Sequence, residues 1–465
     1  MWLYEDIRVA LTVDLVALTL CTVLLLRYAR LSHSHPATVY LCFHALVVSS
    51  RLWGIVAGSE TLFTYWGSLF EPVTEGEITR AAQFADLTLA AMTLACIRAS
   101  VVERRRQVTR AQNPAPSDGL KTLSLVHIWA VVAVALPTGL VGLVLLGSVP
   151  GIEKPQLDLG AWQESSWVTV TMTWAGLSLL ALIYWYGFKW WLSAPMAAYL
   201  LIMGIQGYHR FRAIIPLLLL LQIYLDRRQK RWPPAIVVSG IVAAMLLFYP
   251  MKTIGRMAQE GATFGEITES SSEILRDVVA GQNGDQMILD QLASTLTLVD
   301  RTGNYYYGTT YLALLVAPVP RQWWPQKPGL ADYIADYSAP SRPMAEMGMV
   351  PTFIGEFYLN FGYAGVILLS YLMAYGLTCI YFRAYRSSYY SVLRFGYLLV
   401  ACNLVQVYRD GLMSLAVFTL INMMPLSVIV LIHLLRPSRG RRLQTPSGYA
   451  TVGLPPGITA GRRNP

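Results

Sequence analysis

Residues 353–382 read FIGEFYLNFGYAGVILLSYLMAYGLTCIYF, with Glu356 the sole charged side chain, and Arg383, Arg386 and Arg394 follow. A bilayer's hydrocarbon core is about 30 Å thick and takes roughly 20 consecutive apolar residues as a helix. This stretch is long enough to cross it. Working outward in both directions, further apolar runs stand at 9–26, 37–57, 79–97, 123–147, 164–186, 190–207, 211–225, 233–251, 392–408 and 411–435. The pattern predicts an all-α polytopic membrane protein with about 11 transmembrane helices. Composition agrees: 55% of residues are apolar and only 14% charged, and the mean hydropathy is +0.45.

The connections between runs carry alternating charge. Arg27 and Arg30, then Arg98, Arg104, Arg105, Arg106, Arg110 and Lys121, then Lys189, then Arg227, Arg228, Lys230 and Arg231, then Arg383, Arg386 and Arg394, and finally the tail from Arg436 onward fall on one side. Glu60, Glu71, Glu75, Glu77, Glu153 and Asp158 fall on the other. The positive-inside rule places the N-terminus outside and the C-terminus inside, with 252–352 as one long external segment. The expected organisation is an N-terminal bundle at 1–251, the external segment at 252–352, C-terminal membrane helices at 353–435, and a disordered basic cytoplasmic tail at 436–465. Topology accounts for the net charge of +9 better than nucleic-acid binding does. Cys21, Cys42, Cys96, Cys379 and Cys402 stand singly inside apolar runs and fit packing roles, with neither a disulfide framework nor a zinc motif among them. Glu5 and Asp6 precede the first run, which lacks a positive leader and a small-residue cleavage site, so it is expected to be retained as a helix.

Within the external segment, 264–280 and 285–301 show helical spacing of apolar residues. Ile288, Leu292, Leu296 and Val299 share one face of the second, and amphipathic helices along the membrane surface are expected. The stretch 308–320 is too short to span and ends in Pro318 and Pro320, which suits a re-entrant or interfacial piece. It runs into Arg321-Gln322-Trp323-Trp324-Pro325-Gln326-Lys327-Pro328, where indoles serve as interface anchors and the cations as contacts to lipid or substrate phosphate.

Several arginines map to the outer side, where the charge rule does not ask for them. Arg210 and Arg212 join two spans with almost no loop, Arg409 and Asp410 join the last two, and Arg301 ends an amphipathic helix. Arginine presents a rigid, permanently charged fork suited to pyrophosphate. Two readings stay open for each: snorkelling, self-neutralisation or helix-dipole pairing, or a ligand role.

Three stretches together resemble the O-antigen or oligosaccharide repeat-unit polymerases, bacterial membrane glycosyltransferases. They are Gly308-Thr309-Thr310-Tyr311, the passage from Pro318-Val319-Pro320-Arg321 to Trp324-Pro325-Gln326-Lys327-Pro328, and Gly355-Glu356-Phe357-Tyr358-Leu359-Asn360-Phe361-Gly362, with Gly207 to Arg212 beside them. The resemblance implies a glycosyltransferase type C-like fold in the cytoplasmic membrane with an extracytoplasmic site. It implies transfer of a glycan from a polyprenyl-pyrophosphate donor to a hydroxyl of a second lipid-linked unit, with no cofactor, metal or nucleotide sugar. Membrane lipids and a chain-length regulator or flippase are the further partners it admits, and nucleic acid is not among them. The functional arginines it implies are Arg210, Arg301 and Arg321 for catalysis, with Arg212 beside them. A hydroxyl nucleophile also benefits from a carboxylate base, and here the residues leave two readings open: Glu356 as the base, with Asp300, Glu346 and Asp410 behind it, or Glu356 as the partner of an arginine or a helix cap. The substrate-binding set is Arg212, Lys327, Tyr311, Trp324, Tyr358 and Arg409, and Tyr305, Tyr306, Tyr307 and Trp323 add sugar-stacking surface.

Two other classes compete. An O-antigen ligase shares the donor and topology, but the family's external histidine has no counterpart in 252–352. A transporter or flippase needs charges at mid-membrane depth, for which Asp14, His44, Arg51 and Asp86 are the candidates.

Overall fold

The computed structural model describes residues 5–29, 31–58, 73–112, 125–145, 166–205, 211–228, 288–316, 351–387 and 391–412, with isolated positions at 257, 265, 266, 269, 270, 319, 323, 324, 326, 424, 425 and 427. Regular structure among the described residues is entirely helical. In chain order the helices are α1 (Ile7–Tyr28), α2 (Pro36–His44), a π turn (Ala45–Ser49) leading directly into α3 (Ser50–Val56), α4 (Glu75–Gln112), α5 (Leu125–Leu145), α6 (Ser166–Tyr186), α7 (Trp190–Ile205), α8 (Phe211–Arg228), α9 (Ile288–Thr302), α10 (Thr309–Val316), α11 (Thr352–Arg386) and α12 (Val392–Asp410).

Helices begin where the sequence supplies an acceptor for the orphan amides of a first turn. Asp6 Oδ1 accepts from Arg8 N at 2.7 Å at the start of α1. Thr74 and Glu77 form a reciprocal capping box ahead of α4, with Thr74 N donating to Glu77 Oε2 at 2.8 Å and Glu77 N to Thr74 Oγ1 at 3.3 Å. Pro36 opens α2, and the imidazole of His35 accepts from Ala37 N at 3.2 Å.

Among the described residues, four helices are long and apolar enough to cross a membrane, Ile7–Tyr28, Pro36–Val56, Glu75–Thr109 and Thr352–Arg386, with shorter apolar helices at Ile128–Val144 and Trp190–Gly204. The outward faces match that role. α1 turns Asp14, Cys21 and Leu25 inward and leaves Val9, Val16, Leu20, Val23 and Leu26 exposed, the reverse of a soluble amphipathic helix. Small residues let the helices approach closely: a Cβ on Gly176 would enter the ring of Tyr199, and one on Gly139 would enter the backbone of Ala175. The predicted run at 233–251, most of 411–435, the tail and the amphipathic stretch at 264–280 lie outside the described residues, apart from isolated positions.

The chain shuttles between two ends. At one, Thr79 reaches Glu5 O, Thr297 donates to Glu77 at 2.9 Å, and Leu412 N donates to Glu356 at 2.5 Å. At the other, Tyr397 donates to Ser34 O at 2.5 Å, Arg394 pairs with Asp226 at 2.6 Å, and Arg386 pairs with Glu103 at 3.2 Å. Over the described helices this is the alternation that the loop charges predict, and the two are called here the acidic and the basic end.

Among the described residues two large apolar clusters fill most of the interior, and a small third one, of Tyr381, Ala384, Tyr397 and Ala401, joins α11 to α12. Of the two large clusters, one joins α1, α2, α3, α4, α9 and α11, the other joins α5 to α8, and α12 serves both, with Leu404 and Tyr408 in the first and Phe395, Leu398 and Cys402 in the second. The amphipathic spacing expected for 285–301 is realised in α9, but the surface location is not. Leu292, Leu296 and Val299 face protein, at most 2% exposed, because α9 packs against α4 and α11. Arg51 fixes it there: Nε and Nη2 donate to Asp290 at 2.8 and 2.7 Å, with neither side chain exposed.

Candidate functional site

The site grows from a break in α11. Gly362 has φ 60° and ψ −148° inside that helix, a region essentially reserved for glycine. Breaking the ladder there frees the carbonyls of Leu359 and Asn360 from their helical partners four residues on. The preceding segment fills the gap: Tyr306 N donates to Leu359 O and Tyr307 N to Asn360 O, both at 3.1 Å. The Asn360 side chain completes the joint, accepting from Gly308 N at 2.9 Å and from Thr310 Oγ1 at 3.0 Å. Tyr311 stacks on Phe361 with ring centroids 6.5 Å apart. Thus 308–311 and 355–362, two stretches singled out in the sequence, dock on each other. Tyr307 at φ 48° and Thr352 at φ 59° add backbone strain on both sides of the joint.

Beside the break lies a hollow of about 610 Å³ lined chiefly by Tyr305, Tyr307, Phe361, Gly362, Tyr363 and Leu368. It opens on the flank of the bundle, where Phe361 and Leu368 are exposed. Next to it, Arg80 of α4 pairs with Asp300 at the end of α9, and its Nη2 donates to Tyr358 Oη at 3.1 Å. Tyr358 donates in turn to Asp300 Oδ1 at 2.5 Å. The Arg80 guanidinium also lies 5.8 Å from the Phe84 ring and 5.9 Å from the Tyr358 ring. It is thereby held rigidly, while the Asp300 side chain keeps 39% exposure.

The structure sorts the expected site residues. Tyr358 belongs to the Arg80 and Asp300 group, and Arg301 is exposed in the last turn of α9 beside Asp300. Glu356 is 2% exposed, and its Oε2 is turned into the junction of α11 and α12 to accept from Leu412 N. A Cβ on Gly411 would collide with that carboxylate. Tyr311 is half-buried, and burial, reinforced by Glu356, pushes its phenol up. Arg212 opens α8 within 3.8 Å of Met172 Sδ, and so joins α6 rather than α9. Arg409 pairs with Asp410 at 3.1 Å, the self-neutralising alternative. Trp323 and Trp324 are exposed. Arg210, Arg321, Lys327 and Glu346 lie outside the described residues.

Sequence reasoning missed Arg80. The signal was present, since it stands at the head of an apolar run on the acidic side, the argument already applied to Arg210 and Arg212. The mid-membrane charges are drawn together as well: His44 Nε2 lies 2.7 Å from Asp14 Oδ1 and 3.6 Å from Asp86 Oδ1.

Compared with family models, characterised proteins and solved structures, the chain matches none.

Proposed function

We propose that this protein is a membrane glycosyltransferase that joins polyprenyl-pyrophosphate-linked oligosaccharide units, the acidic end facing outward. The observation that carries the reading is the aromatic hollow at the α11 break, with Tyr358 packed against its lining rings Tyr305 and Tyr363 and bonded to Arg80 and the partly exposed Asp300. Tyrosine faces bind sugar rings, and the opening on the apolar flank suits entry of a polyprenyl chain from the bilayer. In the proposed reaction the acceptor hydroxyl attacks the anomeric carbon of the donor. An O–C bond forms, the bond from that carbon to the pyrophosphate oxygen breaks, and the hydroxyl proton passes to a carboxylate. Arg80, with Arg301, receives the charge developing on the leaving polyprenyl pyrophosphate. Asp300 takes the base role in preference to Glu356, because it is accessible and Glu356 is not. A span count of about 11, the ligand roles of Arg210, Arg321, Lys327 and Arg212, and the bacterial inner-membrane location belong to the same proposal. A related ligase would use the same donor site with a different acceptor.

Reconstitution with lipid-linked units and no nucleotide sugar tests it. Wild type is expected to build a ladder of longer glycans, and Arg80→Ala to lose it. Transfer of the whole glycan to another acceptor would favour the ligase. Movement of intact substrate across the membrane without a ladder would favour a transporter, whose supporting observation is the buried cluster of Asp14, His44 and Asp86.

A further inference from the structure

Asp14, His44 and Asp86 come from three helices, α1, α2 and α4, and meet inside the bundle about 10 Å along α1 from its start. One ligand atom from each lies within 4.8 Å of the others. The π turn at Ala45–Ser49 makes the arrangement possible. Residues five apart on a regular α-helix diverge by about 140°, yet here His44 and Ser49 both reach Asp14, the imidazole at Oδ1 and the Ser49 hydroxyl at Oδ2, 2.5 Å away. Wide turns of this kind occur frequently at functional sites.

With both carboxylates ionised, the three side chains together carry two negative charges beside a neutral imidazole and one beside a protonated imidazole, a balance that suits a cation held among them. The other buried cation of this helix, Arg51, is matched by Asp290. His44 is fully buried, and its Nδ1 has no hydrogen-bond partner. The ring is therefore oriented by the cluster at its Nε2 edge.

We propose that Asp14, His44 and Asp86 bind a divalent first-row transition metal, Zn²⁺ foremost, within the helix bundle. One imidazole nitrogen and two carboxylate oxygens form a mixed set suited to Zn²⁺ or Mn²⁺, and a dication with neutral His44 cancels the charge. A metal at about 2.0–2.2 Å from each ligand sets the ligands about 3–4 Å apart, which small side-chain rotations reach from the present spacing. The hydrogen bond from Ser49 would orient the Asp14 carboxylate. Asp86, whose side chain keeps 12% exposure while the other two have none, marks the entry side and the open coordination position. The site stands independently of the glycan reading.

The test is metal analysis of detergent-purified full-length protein prepared without metal-affinity chromatography, then stripped with chelator and reloaded with Zn²⁺ or Co²⁺. About one equivalent is expected, with Co²⁺ giving the visible absorption of a low-coordinate N/O site and saturating Zn²⁺ raising the melting temperature by roughly 5 °C or more. His44→Ala and Asp86→Asn should each abolish all three signals. Asp86→Asn is near-isosteric at a partly exposed position, so a folded variant is available should His44→Ala fail to fold. Less than about a tenth of an equivalent in reloaded wild type would overturn the proposal. So would metal that Asp86→Asn retains unchanged. A metal-free wild type that Asp86→Asn stabilises would overturn it too, in favour of a proton shared within the cluster.

Discussion

Asn360 and Thr310, 50 residues apart in the chain, are bonded in both directions: the Thr310 hydroxyl donates to Asn360 Oδ1 at 3.0 Å, and Asn360 Nδ2 reaches Thr310 Oγ1 at 2.7 Å. The same amide nitrogen lies 2.8 Å from Glu356 O. One buried carboxamide therefore sets the position of α10 against α11. Asn360→Leu would strand the Gly308 amide and the Thr310 hydroxyl, and a loss of about 1–3 kcal/mol is expected from thermal melts. Thr310→Ser keeps the hydroxyl and should lose less.

Gly362→Ala should cost about 1–3 kcal/mol by placing a side chain in the glycine-only region. The diagnostic readout is amide exchange. Tyr306 and Tyr307 donate to carbonyls that a straightened helix would reclaim, so their exchange should accelerate while that of the Arg51 and Asp290 neighbourhood stays slow.

The ion pair of Arg51 and Asp290 predicts a non-additive double mutant. Arg51→Leu alone leaves a buried carboxylate without its cation, and should cost about 3–5 kcal/mol. Arg51→Leu combined with Asp290→Leu should recover most of that in denaturation midpoints. An additive double mutant would show that the pairing contributes nothing.

At the proposed transfer site, Arg80→Ala should lower turnover by roughly 10²-fold or more through lost charge stabilisation. Tyr307→Ala, an exposed hollow-lining ring, should instead raise KM by a few-fold, as expected for about 0.5–1.5 kcal/mol of ring stacking. Single-turnover and steady-state assays separate the two.

His35 supplies a pH dependence at the basic end. Burial lowers its pKa from 6.5 to about 3, so the unfolded chain binds a proton that the folded chain refuses. Stability is then flat above about pH 6.5 and falls as pH drops toward 3, by up to about 1.4 kcal/mol per unit. The neutral ring is also the acceptor for Ala37 N. His35→Asn can keep an acceptor there, and should flatten the melting temperature between pH 5 and 6.5 relative to wild type.

The helices were legible because hydrophobic length is a local property: a described helix lies along most of each predicted run from 9–26 to 211–225, and along those at 353–382 and 392–408. The period of Ile288, Leu292, Leu296 and Val299 was legible too. What covers that face was not, since α4 and α11 arrive from far along the chain. At the site, Tyr358 and the segments 308–311 and 355–362 announced themselves by unusual glycine and aromatic content. Arg80 was hidden inside a run read as a span. Asp14, His44 and Asp86 were visible as misplaced charges, but their meeting depends on a π turn, whose single extra residue leaves no mark in apolar periodicity.

The first apolar cluster is discontinuous, taking residues from Ile7 to Cys96 and then from Ile288 to Tyr408. This sets an order of events during biogenesis. Arg51 enters the bilayer 239 residues before Asp290 is made, an interval of roughly 12–50 s at about 5–20 residues per second. Through it, the first helices need shelter from the insertion machinery or from bound lipid. Truncated nascent chains ending before residue 288 should therefore be cleared by membrane quality control, whereas chains that extend past Asp300 should begin to escape it.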